Sequence, residues 1–299
     1  MQKLLEEIEN NRKILSELLK KQNNKKELNK WLKTELAYTS NAIEGNTLTR
    51  KETRLVIEEN LTSSPKPLKN YIEAVNHAKA FEKILEKINQ NSEFDEKSVL
   101  EIHRIILSGL DDMNAGFYRD CRVRISGSNT ILPNPLKVPA LMTEFYEWLD
   151  ENRQNQPVTA ILVHLKFVSI HPFTDGNGRT ARLLMNAILL KNGYAPVIVR
   201  STDRKNYLSV IETAQTLGDE TRYINFMLRI LNRSLKVIIN MLDEKLDLNP
   251  SELMTISKYA KYKGVPTSTV RYWLEAGKLK PTTYTDAGYM LFDKNSQPT

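Results

Sequence analysis

The stretch at residues 171–182 constrains the fold of this 299-residue chain most strongly, because it is a polar segment between two apolar ones. Upstream, apolar residues recur at helical spacing over 158–170. Pro172 ends that helix, since the residue before a proline avoids helical backbone. Downstream, helical spacing resumes over 183–190 until an Asn-Gly pair at 192–193 supplies a stop. The pattern predicts a loop between two buried helices, with its end forming the start of the second.

The end of this loop has features that favour anions. A helix start presents unpaired backbone N–H groups and about half a positive charge. Gly176 and Gly178 let a ligand approach the backbone closely, since they have no Cβ atom. Arg179 and Arg182 are three residues apart on the first helical turn, so they share one face of the helix. Each can form bidentate hydrogen bonds with phosphate oxygens. The spacing indicates a phosphate-binding helix start.

Two further side chains in the loop suggest chemistry as well as binding. Asp175 is an unexpected neighbour for phosphates unless it holds a cation, and Mg²⁺ usually takes one or two carboxylates together with phosphate oxygens. His171 is the one group in the loop whose ordinary pKa lies near neutrality, which makes it the natural general base. We therefore expect a site that holds a magnesium nucleotide and deprotonates a nucleophile.

Each of these residues is ordinary alone, but their combined spacing resembles the signature of the Fic family, HxFx(D/E)GNGRxxR. Every specified position is matched, by His171, Phe173, Asp175, Gly176, Asn177, Gly178, Arg179 and Arg182. The resemblance implies a helical bundle with protein adenylyltransferase activity. Such an enzyme moves AMP from ATP to a Ser, Thr or Tyr hydroxyl of a target protein, and here also of itself, and releases pyrophosphate.

The resemblance also implies a role for each residue of the loop. His171 would take the hydroxyl proton and Asp175 would hold Mg²⁺. Asn177 and the loop N–H groups would bind the α- and β-phosphates, and Arg179 and Arg182 would hold the β- and γ-phosphates. This division suits a reaction in which positioning and charge neutralisation supply most of the catalysis.

A second resemblance concerns the end of a predicted helix at about 26–45. Ser40, Glu44 and Gly45 match the inhibitory motif (S/T)xxxE(G/N) of self-inhibited Fic proteins. In that group the glutamate forms a salt bridge with the second signature arginine, here Arg182, and blocks the γ-phosphate site. The resemblance predicts an autoinhibited enzyme that Glu44→Gly would activate. It also allows Glu44 to position a water that removes AMP from a modified target.

Alternating residues over 121–125, followed by a Gly-centred turn, predict a short β-hairpin at about 121–132. In Fic proteins this position carries the flap, which aligns the target segment by backbone pairing, a form of strand addition. A plain connector is the alternative interpretation. By family position, Tyr207 and Gln215 would line the adenine pocket.

The C-terminal part has a helix–turn–helix pattern over 255–273, with Gly264 at the turn and Thr267 or Ser268 as the cap of the second helix. A small wing follows at 277–293. The pattern resembles the MerR-type winged helix–turn–helix, which would place Thr267, Ser268, Thr269 and Arg271 at a recognition helix. DNA binding through residues 252–293 is one interpretation. Protein binding or dimer formation is the other.

We therefore expect a mainly α protein: a Fic-type helical bundle with a hairpin flap and a small C-terminal winged helix–turn–helix. The predicted domains are an N-terminal helical region at 1–95, a catalytic core at 96–245 and the winged domain at 246–299. A linker is expected at 246–251, and a break between the first two helices at 22–24. The sequence does not decide whether the chain forms a homodimer.

Composition excludes several classes of protein. No run of 18 apolar residues is present, so no membrane span or membrane partner is expected. The charged N-terminus is unlike a signal peptide. Cys121 is the one cysteine, which excludes an intrachain disulfide and favours a reducing cytoplasm. The net charge of +7 is compatible with nucleotide or nucleic acid partners.

Two other functions compete with AMP transfer. The chain could be a DNA-binding regulator whose Fic core only senses nucleotide, but such a sensor would not need His171. The same fold could transfer phosphate or phosphocholine, although Gly176 and Gly178 match the pattern for AMP transfer. A P-loop is excluded, because no G-x-x-x-x-G-K-[ST] sequence occurs.

Overall fold

A computed structural model describes residues 1–21, 23–152, 156–243, 253–284 and 289–298. Helices dominate these ranges, which confirms the mainly α fold class. The main body contains α1 (Gln2–Leu18), α2 (Asn24–Ile43), α3 (Arg50–Glu59), α4 (Leu68–Asn89), α5 (Glu96–Leu107), α6 (Val138–Glu151), α7 (Val158–Ile170), α8 (Asn177–Lys191), α9 (Arg204–Leu217) and α10 (Thr221–Leu242). None of the described helices is long and apolar enough to cross a membrane.

Helices α7 and α8 form the centre of the bundle and pack against each other. α7 is apolar on nearly every face and is buried along most of its length, as expected for a helix enclosed by others. α1 packs on α10, and α4 packs on α2 and α5. The site loop thus joins the two most enclosed helices, so its backbone is fixed from both ends.

The predicted helix–loop–helix at the centre is confirmed. α7 ends at His171, whose backbone is left-handed with φ of 51°. α8 begins after Gly176, which also has a positive φ, of 74°. Left-handed backbone is common at helix ends but costs a non-glycine residue energy. The chain accepts that cost at His171, where the left-handed turn leads directly into the polar loop.

Helix α3 was not predicted from the sequence. It begins with a capping box, in which Thr49 accepts a hydrogen bond from the Glu52 N–H and the Glu52 side chain accepts one from the Thr49 N–H. A Thr-x-x-Glu spacing before a helix is a recognised start signal. The chain enters α3 from the end of α2, where the predicted inhibitory motif lies: Ser40 is in the last turn of α2 and Glu44 is its C-cap.

The predicted strand pairing of the flap is wrong. Residues 121–132 contain no β-strand, although they do reverse direction at a turn closed by the Ser128 N–H and the Ile125 carbonyl at 3.2 Å. The second arm bonds to side chains of α9 rather than to the first arm. The flap is therefore a loop that is held by hydrogen bonds from residues 128–130 to α9. Its two arms do not pair with each other as the strands of a hairpin would.

The C-terminal part contains β1 (Met254–Thr255), α11 (Ile256–Lys263), α12 (Thr267–Glu275), β2 (Thr283–Tyr284) and β3 (Met290–Phe292). The strands form an antiparallel sheet in the order β1-β3-β2, with Met254 opposite Phe292 and Thr283 opposite Leu291. The helix–turn–helix and wing are confirmed. A separate hydrophobic cluster supports them, made of Tyr259, Ala260, Val270, Leu279 and Phe292.

The start of α12 differs from the prediction, and the predicted linker cannot be compared with the structure. The cap of α12 is Pro266, not Thr267 or Ser268 as predicted, and no side chain bonds to the helix start there. Pro266 has extended backbone, so the helix begins one residue earlier than the Thr and Ser pattern suggested. The predicted linker at 246–251 falls outside the described residues.

Candidate active site

His171 lies at the junction of α7 and the loop. Its backbone N–H bonds to the Phe167 carbonyl at 2.9 Å. Its Nδ1 atom lies 3.3 Å from the Val168 carbonyl. A carbonyl only accepts, so Nδ1 carries the proton in this contact and Nε2 is left with a free lone pair. Burial lowers the pKa of His171 below its ordinary value, so the ring is neutral at pH 7 and can accept a proton.

Asn177 and Phe173 fix the shape of the loop. The Asn177 side-chain oxygen accepts from the Phe173 N–H, and its amide donates to the Phe173 carbonyl, both at 2.9 Å. Both functions of this buried amide are therefore engaged within the loop. The structure places Asn177 as a brace of the loop, whereas the sequence resemblance predicts that it binds phosphate.

His103, from α5, completes this brace. Its ring stacks on the fully buried Phe173 ring with centroids 3.5 Å apart and planes 4° apart. Its Nδ1 accepts from the Gly116 N–H at 2.9 Å, so its Nε2 carries the proton and donates to the Asp175 carbonyl at 3.0 Å. Burial lowers the pKa of His103 to about 4. Gly176 has a φ of 74°, which disfavours residues with a Cβ, and a Cβ there would also lie only 3.2 Å from this Nε2.

Arg119 connects the flap to the catalytic loop. Its Nε donates to the His171 carbonyl at 2.8 Å. Its Nη1 and Nη2 donate to the carbonyls of Cys121 at 3.1 Å and Pro133 at 2.8 Å, one on each arm of the flap. The Arg119 N–H also bonds to the Pro172 carbonyl at 2.9 Å. One buried guanidinium thus sets both flap arms relative to His171.

The second signature arginine, Arg182, is held by the end of α2. Its Nη2 donates to the Glu44 carboxylate at 2.8 Å and to the Ser40 carbonyl at 2.9 Å. Its Nε donates to the Ser40 hydroxyl at 3.0 Å. The Arg182 side chain is 5% exposed and the Glu44 side chain 38% exposed. Burial lowers the pKa of Arg182, but the charge of Glu44 and the contact with Tyr207 together more than offset this, so the net pKa is raised.

The first signature arginine, Arg179, is held by a different pair of carboxylates. Its Nη1 lies 3.2 Å from Glu73 of α4, and its Nη2 lies 3.3 Å from both oxygens of Asp175. The other Glu73 oxygen accepts from the Asn46 amide at 2.9 Å. Burial raises the pKa of Asp175, but Arg179 and the Gly176 N–H lower it by more than this. The net pKa lies below its ordinary value, so the carboxyl is ionised at neutral pH.

A chain of buried rings continues from Arg182. The Tyr207 hydroxyl lies 3.5 Å from Arg182 Nη1 and 2.7 Å from His164 Nε2. The Tyr223 hydroxyl lies 2.7 Å from His164 Nδ1 and 3.3 Å from the Ile161 carbonyl.

The two ends of this chain fix its direction, since the guanidinium only donates and the carbonyl only accepts. Tyr207 therefore donates to His164, and His164 donates from Nδ1 to Tyr223. Burial lowers the pKa of His164 to about 3, which keeps the ring in this neutral form.

Several of the predicted site residues line one cavity of about 170 Å³. It is lined in part by Glu44, His171, Gly178, Arg182, Tyr207 and Gln215, together with flap residues 125–128. Small-molecule pockets usually measure about 300–1,000 Å³, so this cavity is smaller than the usual range. A Cβ at Gly178 would lie 2.5 Å from the Glu44 carboxylate, which shows how closely the glutamate covers the helix start.

Gln215 and Glu212, on α9, hold the flap closed over this cavity. The Glu212 carboxylate accepts from the Ser128 hydroxyl at 3.0 Å and the Asn129 N–H at 2.8 Å. Gln215 accepts from the Thr130 hydroxyl at 2.9 Å and donates to Ser169 at 3.3 Å. Tyr207 and Gln215, which were predicted to line an adenine pocket, both border this cavity and contact protein groups there.

Asp175 is the candidate metal ligand. Among the residues that the structure describes, no group of three or more His, Cys, Asp or Glu side chains could hold a metal ion. The Asp175 side chain is 60% exposed, and a lone accessible carboxylate suits Mg²⁺ that takes its other ligands from phosphate and water. The donor set fits an ion that arrives with a nucleotide.

Sequence reasoning missed Glu73, His103, Arg119 and Glu212 as parts of the site. Each contacts a partner 52 to 106 residues away along the chain. None stands in a recognisable motif, so nothing in the local sequence separated them from ordinary helix or loop residues.

The chain resembles known proteins in both sequence and structure. Residues 93–189 match the family model described as Fic/DOC family, and residues 254–296 match MerR HTH family regulatory protein. A crystal structure of a Fic domain containing signaling protein from Bacteroides thetaiotaomicron superposes with a TM-score of 0.70 and 30% identity, over 79% of this chain and 96% of that one. The chain belongs to the Fic/DOC family.

Two further relatives extend the comparison. A protein adenylyltransferase Fic from Nematostella vectensis is 38% identical over 202 residues, which cover 66% of this chain and 47% of that protein. Fic-1 from C. elegans superposes with a TM-score of 0.68 and 27% identity, over 80% of this chain and 71% of that one. The chain spans about half the length of the curated relatives that it matches.

Proposed function

We propose that this chain is a protein adenylyltransferase that moves AMP from ATP to a hydroxyl of a target protein, and that Glu44 inhibits it. Family membership and the adenylyltransferase names of its relatives support the reaction class. The observation that carries the proposal is the salt bridge between Glu44 and Arg182 beside His171. It places a carboxylate where the signature would receive a phosphate.

The inhibition is reversible on electrostatic grounds. A buried guanidinium needs an anion close by, because an unpaired buried charge is costly. Glu44 supplies that anion now, and the γ-phosphate of ATP can replace it. Glu44 keeps a substantial part of its side chain in contact with water, so it can leave Arg182 without being stranded. Release of Glu44 and productive binding of ATP are then one exchange of anions.

The chain's own groups supply the proton transfer. The target hydroxyl attacks the α-phosphorus of ATP, a new P–O bond forms, and the bond to pyrophosphate breaks. His171 takes the hydroxyl proton at Nε2, the nitrogen left free by the contact of Nδ1 with Val168. Because the pKa of His171 is lowered, activity should persist through neutral pH and fall only in acid, as the ring gains a proton.

Phosphate binding falls to the start of α8. The unpaired N–H groups of this helix end favour the negative charge of phosphates, and Arg179 lies oriented there by Glu73. Asp175 would hold Mg²⁺, which when bound neutralises phosphate charge.

The flap would align the target. Over residues 122–125, the backbone N–H groups donate no hydrogen bond to another described residue. A segment with free backbone N–H groups can pair with an extended segment of a partner. Flap residues 125–128 border the His171 cavity, so a segment paired along the flap passes the catalytic base.

The direct test uses ATP labelled at either phosphorus. With the Glu44→Gly variant, label at the α-phosphate should transfer to protein and label at the γ-phosphate should not. His171→Ala in the Glu44→Gly background should abolish the transfer. Transfer of γ-label would instead identify a kinase, and equal transfer with and without His171 would remove that residue from the mechanism.

A second function, DNA binding by the C-terminal part, is favoured by its match to the MerR family model. Thr267, Ser268 and Arg271 are exposed on α12, as a recognition helix requires. We expect Arg271→Glu to weaken binding of the full chain to duplex DNA, measured by fluorescence anisotropy. The matched control is Arg229→Glu, exposed on α10, and equal effects of the two variants would argue against a recognition helix.

A further inference from the structure

The first arm of the flap carries two arginines that the protein itself leaves unpaired. Arg122 and Arg124 are both exposed, and neither makes an ion pair or hydrogen bond with another described residue. They are two residues apart, and both line the same hollow of the flap. By contrast, Arg119, Arg179 and Arg182 nearby are all bonded within the protein.

The second arm of the flap carries exposed apolar side chains. Ile131 is 95% exposed, and Leu136, just beyond the arm, is 88% exposed. Single exposed apolar residues are common on proteins, but Ile131 lines the same hollow as Arg122 and Arg124. This hollow measures about 550 Å³ and is formed entirely by flap residues 122–125 and 128–134. Its lining combines two arginines with apolar side chains, among them Ile131.

The hollow is positioned beside the candidate active site. Ile125 and Ser128 border both the hollow and the cavity that contains His171. Arg119 bonds to both arms and to the His171 carbonyl, so it links the hollow directly to the backbone of the base. A chain segment lying in the hollow would therefore be presented to His171.

We propose that the flap selects an extended acidic segment of the target protein. Carboxylates two residues apart in that segment would pair with Arg122 and Arg124, and an apolar side chain would cover Ile131. This inference rests on the proposed function, since the segment is the one that carries the acceptor hydroxyl. It goes further by naming the chemical class of the target.

Charge complementarity favours this occupant over the alternatives. Strand pairing reads only the backbone of a target and gives little discrimination by itself, whereas side-chain pockets supply specificity. Two unpaired guanidinium groups at a strand's alternate spacing fit carboxylates at the same spacing. Such rim charges mainly change the association rate and are weakened by salt, which gives the proposal a signature that can be measured.

The experiment measures binding and transfer separately, with three short fluorescent peptides. Each contains an acceptor threonine and a leucine, and the threonine is flanked by two Glu, two Gln or two Lys residues. The full chain should bind the Glu peptide about fivefold more tightly than the Gln peptide, as expected for two exposed ion pairs. Fluorescence anisotropy gives the affinities, and high salt should remove most of the difference.

Charge reversal supplies the decisive comparison. The double variant Arg122→Glu/Arg124→Glu should prefer the Lys peptide, and AMP transfer in the Glu44→Gly background should follow the same order. The matched control, Lys51→Glu/Arg54→Glu, reverses two exposed cations of α3 and should keep the preference for the Glu peptide. Equal affinity for the three peptides, or a preference unchanged by the flap variant, would overturn the proposal.

The other possible occupants give distinct results. Binding of single-stranded DNA that depends on Arg122 and Arg124, with no binding of the Glu peptide, would assign the surface to nucleic acid. Self-association that the flap variant abolishes would assign it to a second copy of the chain. Either result overturns the proposal. Transfer without charge preference would refute this inference alone, whereas charge-dependent binding without transfer would refute the proposed function alone.

Discussion

The start of α8 and the flap use arginine in opposite ways. Arg179 and Arg182 are buried, and each is paired with carboxylates from distant helices. Arg122 and Arg124 are exposed and have no partner within the described chain. The two regions differ because a buried charge must be paired for the fold to be stable. An exposed charge is solvated by water and needs no partner within the protein.

This contrast separates what the fold requires from what a partner supplies. At α8 the protein pairs both arginines internally, Arg179 with Glu73 and Arg182 with Glu44. On the flap nothing substitutes for the partner. The following predictions test whether the two regions differ as much in energy as they do in geometry.

The largest expected effect is the loss of Glu73. Glu73→Ala should destabilise the protein by about 3–5 kcal/mol, because it leaves Arg179 with a single weak carboxylate partner in a buried position. Glu82→Ala, on the same helix, removes an exposed partner of Lys33 and should cost at most about 1 kcal/mol. Chemical denaturation measures both, and equal small effects would contradict the contrast.

A second effect concerns acid and the buried histidines. Because the pKa of His164 is lowered to about 3 in the folded state, the unfolded chain binds more protons below pH 6.5. Stability should therefore fall as pH drops from about 6.5, by up to about 1.4 kcal/mol per unit for this residue. His164→Gln should reduce that slope, measured by denaturation at several pH values. An unchanged slope would show that His164 is already protonated in the fold.

A smaller effect is expected at the flap pins. Glu212→Ala removes the acceptor for Ser128 and the Asn129 N–H, and should change the global stability by about 1 kcal/mol or less. The amide of Asn129 should nevertheless exchange hydrogen faster, since its opening is local. Glu144→Ala, exposed on α6, is the control. If exchange at Asn129 is unaltered, the flap is not held by α9.

The smallest effect is expected for the free arginines. Arg122→Ser and Arg124→Ser should change the free energy of unfolding by less than about 0.5 kcal/mol, as for other exposed residues without special contacts. Denaturation curves that overlay the wild type would sharpen the contrast with Glu73. A loss of stability comparable to Glu73→Ala would show that the flap arginines serve the fold after all.

The sequence predicted those parts in which a local pattern determines local structure. Helical spacing and Pro172 predicted the helix at 158–170, which the structure reproduces as α7. The helix–turn–helix and its wing followed from spacing and from Gly264. The position of Glu44 at the end of α2 and its contact with Arg182 were expected from a motif resemblance, and the geometry agrees.

The remaining features depend on contacts between distant segments. The flap alternates in sequence like a hairpin, yet its second arm bonds to Glu212 and Gln215, more than 80 residues later. His103 holds the Asp175 carbonyl from 72 residues away. Neither contact leaves a local pattern. Only the missed helix α3 had one, the Thr49 and Glu52 capping box.

The most direct measurement of the central claim is the rate of AMP transfer by Glu44→Gly relative to the wild type. The control is Glu59→Gly, an exposed glutamate at the end of α3. If Glu44 occupies the place of a phosphate on Arg182, Glu44→Gly should raise the rate at least about tenfold, which corresponds to about 1.4 kcal/mol, and Glu59→Gly should leave it unchanged. Equal rates in all three proteins would contradict the account.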